Sequence, residues 1–498
     1  MSLQTFVSKK YDVPDFHPGH LAPRVRGKKL LIRFSVISFF VFCFFISGFE
    51  KDVYSMENRP EKEKQVLTLS EFCSRVLNHD PTLKKQSASV EEALAGQAIA
   101  SSMRWPKVEV AGTFLSSNDP VSVFGMLLKQ GAFSQSDFSL ERLNNPSSRS
   151  NWNFLLQAGL PVFDGLQIRL SAESARYAAE SAKRMQSFFK SKTILVAAQA
   201  YLNTVLAQLI FDAAGKTTMQ AEEDLQQAEQ LKTKGMILGA DFYAARVVYA
   251  GMTQMKNQAQ KRIQECFMIM AILAGDPLND EYHVVRECSE DIPASIPLEE
   301  WIQKAFNKRE DLLAVRLAVE AKETELKREK AASLPRVSVF ASAESNAASS
   351  WDEQGTSYTA GLKGTFDLYD PSRSSRIKKI EKELEQLIQD EKILQDRIVM
   401  DMTSAWKNEE VLFMNLDAAR QSVQDSSEAV KLVEPLYREG RKSIADLLEM
   451  RMASQSAANN LDEIRTKLEI LRIQLLFLSG ELDERRLVEI GAGIKEEG

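Results

Sequence analysis

The chain is written twice, and no other feature limits its fold as strongly, because each half must adopt the same supersecondary plan and the two copies must pack together. Leu69-Ser-Glu-Phe-Cys-Ser-Arg-Val-Leu-Asn78 realigns as Leu298-Glu-Glu-Trp-Ile-Gln-Lys-Ala-Phe-Asn307, and the same register carries Leu83 onto Leu312, Pro106 onto Pro335 and Val108 onto Val337. Further on, Phe163-Asp164-Gly165 answers Tyr369-Asp370-Pro371, Gly235 answers Gly440, Asp241 answers Asp446, and Leu273-Ala-Gly275 answers Leu478-Ser-Gly480. The register has slipped between these two sets. The slip places an insertion between about Ser116 and Ser150, where Gly, Ser, Asn and Pro dominate and a loop is expected.

Within each half the order reads helix, strand, loop, strand, long helix, turn, helix. No proline lies between Pro161 and Pro277 or between Pro371 and Pro435, and both intervals are rich in Ala, Gln, Glu, Lys and Leu. Ile464, Leu468, Leu471, Leu475 and Leu478 step by four and three, a coiled-coil seam. The first repeat, 67–277, is predicted to hold a helix over 71–102, strands near 106–116 and 151–162, and helices over 165–233 and 241–274. The second, 296–482, is predicted to hold a helix over 298–333, strands near 336–345 and 357–369, and helices over 373–438 and 446–479; a tail, 483–498, follows. At 1.5 Å per residue the long helices would each reach roughly 100 Å, and the two shorter helices of each half, stacked end to end, would match that length.

The strands have a different period. Trp152, Phe154, Leu156, Ala158, Leu160 and Val162 alternate with Asn153, Gln157 and Gly159, and Leu362, Phe366 and Leu368 alternate with Thr359, Lys363, Thr365 and Asp367. Each strand is about ten residues, enough to cross a bilayer when tilted. A chain with four such strands leaves two open edges, and an unpaired backbone group in hydrocarbon costs several kcal/mol. One chain cannot close a barrel with a bore, two would fill it, and three chains of four strands would give twelve with a channel, placing Asn153, Gln157, Lys363 and Asp367 in the lumen. The fold class expected is thus mainly α with membrane β.

Composition agrees. Arg24, Arg26, Lys28, Lys29 and Arg33 precede an apolar run from Phe34 to Ile46 that ends in Ser47 and Gly48, so residues 1–48 are expected to be an extension and a cleaved signal peptide. Cys43 lacks the small residues that normally precede a lipoprotein cysteine; Cys73, Cys266 and Cys288 show no CxxC pairing and are expected to be small buried side chains. Four scattered histidines suggest no metal set. The net charge of -6 and the lack of a basic patch downstream of the N-terminus argue against nucleic acid. No HExxH, GxxxxGK or GxSxG is present, so neither catalysis nor a cofactor is expected.

The signal peptide, the duplicated helix-strand-strand-helix plan and Pro-Val-Phe-Asp-Gly165 opening the long helix together resemble the TolC outer-membrane factor family over about Leu67 to Leu482. The insertion from Val121 to Phe138 resembles a loop in one branch of it. The resemblance implies a homotrimer in the Gram-negative outer membrane, with a twelve-stranded barrel in lipid continuous with a twelve-helix periplasmic tunnel. It implies joining to a periplasmic adaptor (membrane fusion) protein and an inner-membrane pump, for drug efflux, metal efflux or type I secretion. Family hairpin tips carry a Val-Gly-Leu-like turn; here they read Lys234-Gly235-Met236-Ile237 and Glu439-Gly440-Arg441-Lys442, the expected adaptor contacts. A left-handed helix cap also explains each glycine. Asp446 and Glu449 match the two acidic ring positions of the family's periplasmic gate, although a carboxylate early in a helix also suits the helix dipole. Tyr437 matches a tyrosine that hydrogen-bonds an aspartate corresponding to Asp241, and Lys442 stands where the family often has arginine. A weakened latch is therefore expected, with Tyr437→Phe plus Lys442→Ala raising single-channel conductance. A secreted or periplasmic coiled-coil structural protein would explain the helices and the export signal but not the strands.

Overall fold

Capping chemistry and proline set the boundaries of the helices in a computed structural model that describes residues 66–278, 282–285, 296–349, 355–439 and 441–486. The expected signal peptide, Cys43, Cys288, Gly440 and residues 487–498 of the tail lie outside the described residues. In chain order the elements are β1 (Val66–Leu67), α1 (Leu69–His79), α2 (Pro81–Ser102), β2 (Lys107–Ser117), α3 (Pro120–Lys129), α4 (Leu140–Asn144), β3 (Arg149–Phe163), α5 (Gln167–Thr233), α6 (Gly239–Ala274), β4 (His283–Val284), α7 (Leu298–Lys308), α8 (Glu310–Ala331), β5 (Arg336–Ala347), β6 (Gly355–Thr365), α9 (Arg373–Arg438) and α10 (Ile444–Leu478).

Each half opens on two helices where the sequence predicts one. In the first, Asp80 leaves the helical region and its carboxylate accepts from the Thr82 amide at 2.7 Å, with Pro81 as the first helical residue. In the second, Arg309 breaks the helix without a proline, and its guanidinium is held by buried Asp311 at 2.9 Å. Residues 80 and 309 occupy the same place in the repeat. So do Gly275 and Gly480, both at φ +76°. A Cβ on Gly275 would collide with the His79 ring at the end of α1, and one on Gly480 would come within 2.7 Å of the Lys308 backbone at the end of α7. Only glycine both turns left-handed and lets the end of α6 or α10 abut the break in the opening helix.

The strand-to-helix turns explain another repeated motif. The Asp164 carboxylate accepts from the Ile168 amide and thereby caps α5, while Asp370 accepts from the Ser372 amide at 2.9 Å and pairs with Arg376 at 2.7 Å. The long helices α5 and α9 have 67 and 66 residues, about 100 Å each. Helix α6 packs along the hairpin end of α5, where Thr218 donates to the Met252 carbonyl at 3.1 Å, and α10 packs along α9, where Arg472 lies 3.5 Å from Glu409. Helices α2 and α8 pack against α5 nearer the strands, and Ser174 and Ser181 of α5 donate to the Ala321 and Ala314 carbonyls of α8, tying the halves together.

The largest core sits where α1, α5, α6, α10 and the parallel pair β1–β4 meet, around Phe72, Ile194, Tyr201, Met270 and Ile473. The apolar middle of α5 is taken up by this packing. Cys73 lies in the same cluster, where burial pushes its thiol up to about 12, so it is an inert packing group. Tyr201, fully buried, donates toward the carbonyls of Leu67 at 2.8 Å and Val285 at 2.9 Å and accepts from the Val285 amide at 3.1 Å, binding β1 and β4 to α5. Tyr201→Phe would leave buried backbone groups unpaired and should cost about 1–3 kcal/mol, measurable as a lower thermal midpoint; an unchanged midpoint would show that water replaces the hydroxyl.

The four long strands form one antiparallel sheet in the order β2-β3-β5-β6. The central β3–β5 pair joins the halves, so the duplication yields one sheet and not two hairpins. Strand β6 ends at Thr365, earlier than predicted, and Asp367, expected in the lumen-facing alternation, instead lies beyond it and pairs with Arg336 at 2.7 Å. The insertion also departs from expectation. In place of a loop it holds α3, a short 3-10 turn over Gln135–Phe138, and α4, packed around edge-on contacts of Phe133 with Phe124 and Phe138, each at 5.0 Å.

Candidate functional site

Pairing register fixes which side chains share a face of the sheet. Val110 lies opposite Leu156, Leu156 opposite Ala343, and Ala343 opposite Tyr358, so these residues line one face across all four strands. That face also carries Val108, Phe114, Trp152, Phe154 and Leu362; apart from the Phe114–Trp152 contact at 4.7 Å it is largely uncovered, with Val110 at 76% and Tyr358 at 86% exposure. The opposite face is polar. Gln157 donates to Glu109 at 2.7 Å, Asn153 to Asn346 at 3.0 Å, and Ser357 to Glu344 at 3.1 Å. Asn153, Gln157 and Lys363 fall on this polar face, as their alternation predicts. Each of β2 and β6 is paired on one side only among the described residues. An apolar face, a polar face and two free edges are what a segment of a barrel wall in lipid requires.

At the other end of the long helices lie the two hairpin tips. Gly235 adopts φ +71°, and its amide and that of Met236 donate to the carbonyls of Lys232 at 3.0 Å and Leu231 at 2.9 Å, closing α5 in a left-handed cap. Met236 is 68% exposed, whereas Ile237 folds inward against a small core of Ala228, Ala245, Ile444 and Leu448 that holds one hairpin to the other. At the second tip Arg441 is exposed and pairs with Glu439 at 3.3 Å. The expected adaptor contacts thus divide: Met236 and Arg441 are free to meet a partner, and Ile237 is engaged within the chain.

The expected gate residues cluster just behind the tips. Ser443 and Asp446 form a capping box, with the Ser443 amide and hydroxyl both 3.0 Å from the Asp446 carboxylate. These hydrogen bonds, first the one from the Ser443 amide, hold Asp446 below the usual carboxylate range. Lys442 lies 3.9 Å from Asp446, both well exposed, and Glu449 is exposed one turn on. Tyr437 is in the same inter-hairpin core, and its buried hydroxyl has no hydrogen-bond partner among the described residues, Asp241 included. Burial, then the negative charges of Asp224 and Asp241, push the phenol up, against the opposing effect of Arg451.

The strongest fastening here was missed at the level of sequence. Arg451 of α10 pairs with Asp224 of α5, which is only 6% exposed, and reaches Glu434 of α9 at 3.6 Å, so one guanidinium ties three helices from both repeats. Its signal was faint: Ile444, Leu448 and Arg451 fall on one helix face, and a charge at the third position of an apolar stripe wants a buried partner. Among the described residues no cluster of three His, Cys, Asp or Glu side chains could hold a metal.

Comparison with known proteins places this geometry. Residues 301–481 match the outer membrane efflux protein family. No curated protein sequence matches significantly. Among solved structures, the Campylobacter jejuni CmeC outer membrane channel is similar with a TM-score of 0.71 at 15% identity over 90% of this chain and 98% of that one. CusC, solved in a study of folding and transmembrane channel formation, gives 0.69 at 14% over 86% and 95%, and the open-state Neisseria gonorrhoeae MtrE outer membrane channel gives 0.65 at 17% over 84% and 90%. These likenesses establish the fold across both repeats, including the first, which the family match does not reach. Residues 301–481, within the second repeat, carry the similarity to the outer membrane efflux protein family, and the chain as a whole shares the fold of these channel structures.

Proposed function

We propose that three copies of this chain close a twelve-stranded barrel in the outer membrane and a helical conduit beneath it, forming the passive exit duct of a tripartite efflux or type I secretion system. The observation that carries this is the four-stranded sheet with one apolar face and, among the described residues, two unpaired edges, attached to helices about 100 Å long. Lipid suits the exposed face, and only further copies of the same sheet satisfy the edges without exposing backbone to hydrocarbon. The chain supplies no chemistry; energy would come from an inner-membrane pump, coupled through a periplasmic adaptor that meets Met236 and Arg441 at the tips. Asp446 and Glu449, repeated by threefold symmetry, would gather six carboxylates at the periplasmic opening and raise the local cation concentration.

Arg451, Asp224 and Glu434 fasten the hairpins together beside the small apolar core. Tyr437→Phe with Lys442→Ala should therefore raise single-channel conductance less than loss of Arg451, because the Tyr437 hydroxyl is unpartnered and an exposed pair such as Lys442–Asp446 contributes only about 0–1 kcal/mol. Equal effects would return the latch to Tyr437 and Lys442. A secreted coiled-coil scaffold is the competing assignment, and fractionation separates the two. The duct should be recovered with the outer membrane and migrate on unheated gels as an oligomer that dissociates on boiling; recovery as a water-soluble chain would exclude it.

A further inference from the structure

The repeat is broken by one element that the duct itself does not need. Residues 118–148 have no counterpart in the second half, and they fold at the end of the sheet remote from the long helices, where β2 ends and β3 begins. Helix α3 is well built: Asp119 caps it from the Ser122 amide at 2.8 Å, and Pro120 opens it. Its last turn does not project away from the barrel wall. It crosses the polar face. Lys129 pairs with Glu344 of β5 at 3.3 Å, and Gln130, 6% exposed, donates to the Asn151 side chain at 2.8 Å and to the Ser150 carbonyl at 2.9 Å while accepting from Arg149 at 2.7 Å. Asn151 in turn donates to Asn346, itself 1% exposed, at 2.9 Å. On β6, Gly355 leaves room for the Lys129 backbone, which a Cβ would strike.

These contacts decide the direction. Register puts Asn151, Glu344, Asn346 and Gly355 on the same face as Gln157 and Ser342, the face opposite Leu156 and Tyr358. A segment that only decorated the outside of a barrel would pack on the apolar face or extend from the rim. This one covers the polar face of three strands.

We propose that residues 118–148 are a folded cap over the outer mouth of the pore, fastened across the lumen wall by Lys129 and Gln130, and forming a second gate in series with the one at the hairpin tips. The proposal rests on the barrel assignment, since a lumen exists only in the closed assembly. Three caps, each anchored on its own sheet and directed inward, would narrow the exit; release of the two side chains would free α3 to swing clear of it. Substrate pressure from below would then act on a polar fastening, which water replaces readily, and not on an apolar one.

Because resistances in series add, a conductance trace reports both gates together, and the test therefore reads the outer one alone. In intact cells expressing the full chain, Thr359→Cys, on the lumen face, is challenged from outside with a membrane-impermeant maleimide, with the parent chain as background. The fastened cap should keep labelling slow, and Lys129→Ala with Gln130→Ala should speed it by about tenfold or more, as loss of an ion pair and a buried hydrogen-bond network shifts the closed population. A second variant, with residues 120–146 replaced by a short Gly-Ser linker, should label at least as fast, and heat-modifiable oligomers on gels confirm assembly of both. Equal labelling of Thr359→Cys in the fastened and released forms would overturn the cap. Ala360→Cys, on the lipid face, should stay unreactive throughout; if it labels like Thr359→Cys, the barrel assignment fails instead.

Discussion

Leu156→Arg is expected to prevent stable insertion of the protein into the outer membrane, while Gln157→Arg, one residue away, is expected to be tolerated. Leu156 is at the middle of the 15-residue β3 on the exposed apolar face, and Gln157 is on the polar face beside Glu109. An arginine facing lipid at the bilayer midplane costs about 2–4 kcal/mol per strand, and threefold assembly applies that cost three times to one barrel. The same cation facing water inside the barrel meets Glu109 and costs little. The amount of heat-modifiable oligomer in outer-membrane fractions checks this; similar losses for both variants would mean that the two faces are not differently solvated.

Arg451→Ala is expected to loosen the periplasmic end more than any other single substitution there. Removing one partner of a buried pair leaves the other charge desolvated and unpaired, at a cost of about 3–5 kcal/mol, and Asp224 is the buried partner here. The strain is relieved if the hairpins part and admit water to Asp224, so the same substitution should shift the trace in planar bilayers toward higher conductance. Asp224→Ala with Arg451→Ala should recover most of the thermal stability, because no charge is then left buried, yet keep the raised conductance. If the single and double variants melt alike, the pair is not the fastening, and if conductance does not rise, the pair stabilises the bundle without gating it.

How far the sequence could be read follows from how locally each feature is encoded. Helix lengths, strand alternation and the duplication are repeated many times along the chain, so they were legible down to the glycines at 275 and 480. The break at Pro81 carries a local signal, Asp80-Pro81, that the single helix expected over 71–102 passes over, whereas its twin at Arg309 depends on a buried ion pair with Asp311 and the backbone of the neighbouring Gly480, which no local pattern announces. The insertion reads as a loop because Gly, Ser, Asn and Pro dominate between Ser116 and Ser150, but Asp119-Pro120 ahead of an apolar run is a helix start that outweighs them. The Arg451–Asp224 pair spans 227 residues of chain and two repeats, and only tertiary structure brings it together. Asp446 and Glu449 are legible in the sequence as carboxylates behind the second tip, but the capping box that occupies Asp446 comes from Ser443, which no sequence pattern singles out.

In the proposed channel, a sheet with two free edges among the described residues is completed by copies of itself. Native mass spectrometry of the protein extracted in mild detergent counts those copies without reference to substrate or pump. A single species of three protomer masses, resistant to dilution, is the expected result, and a stable monomer or dimer would contradict it.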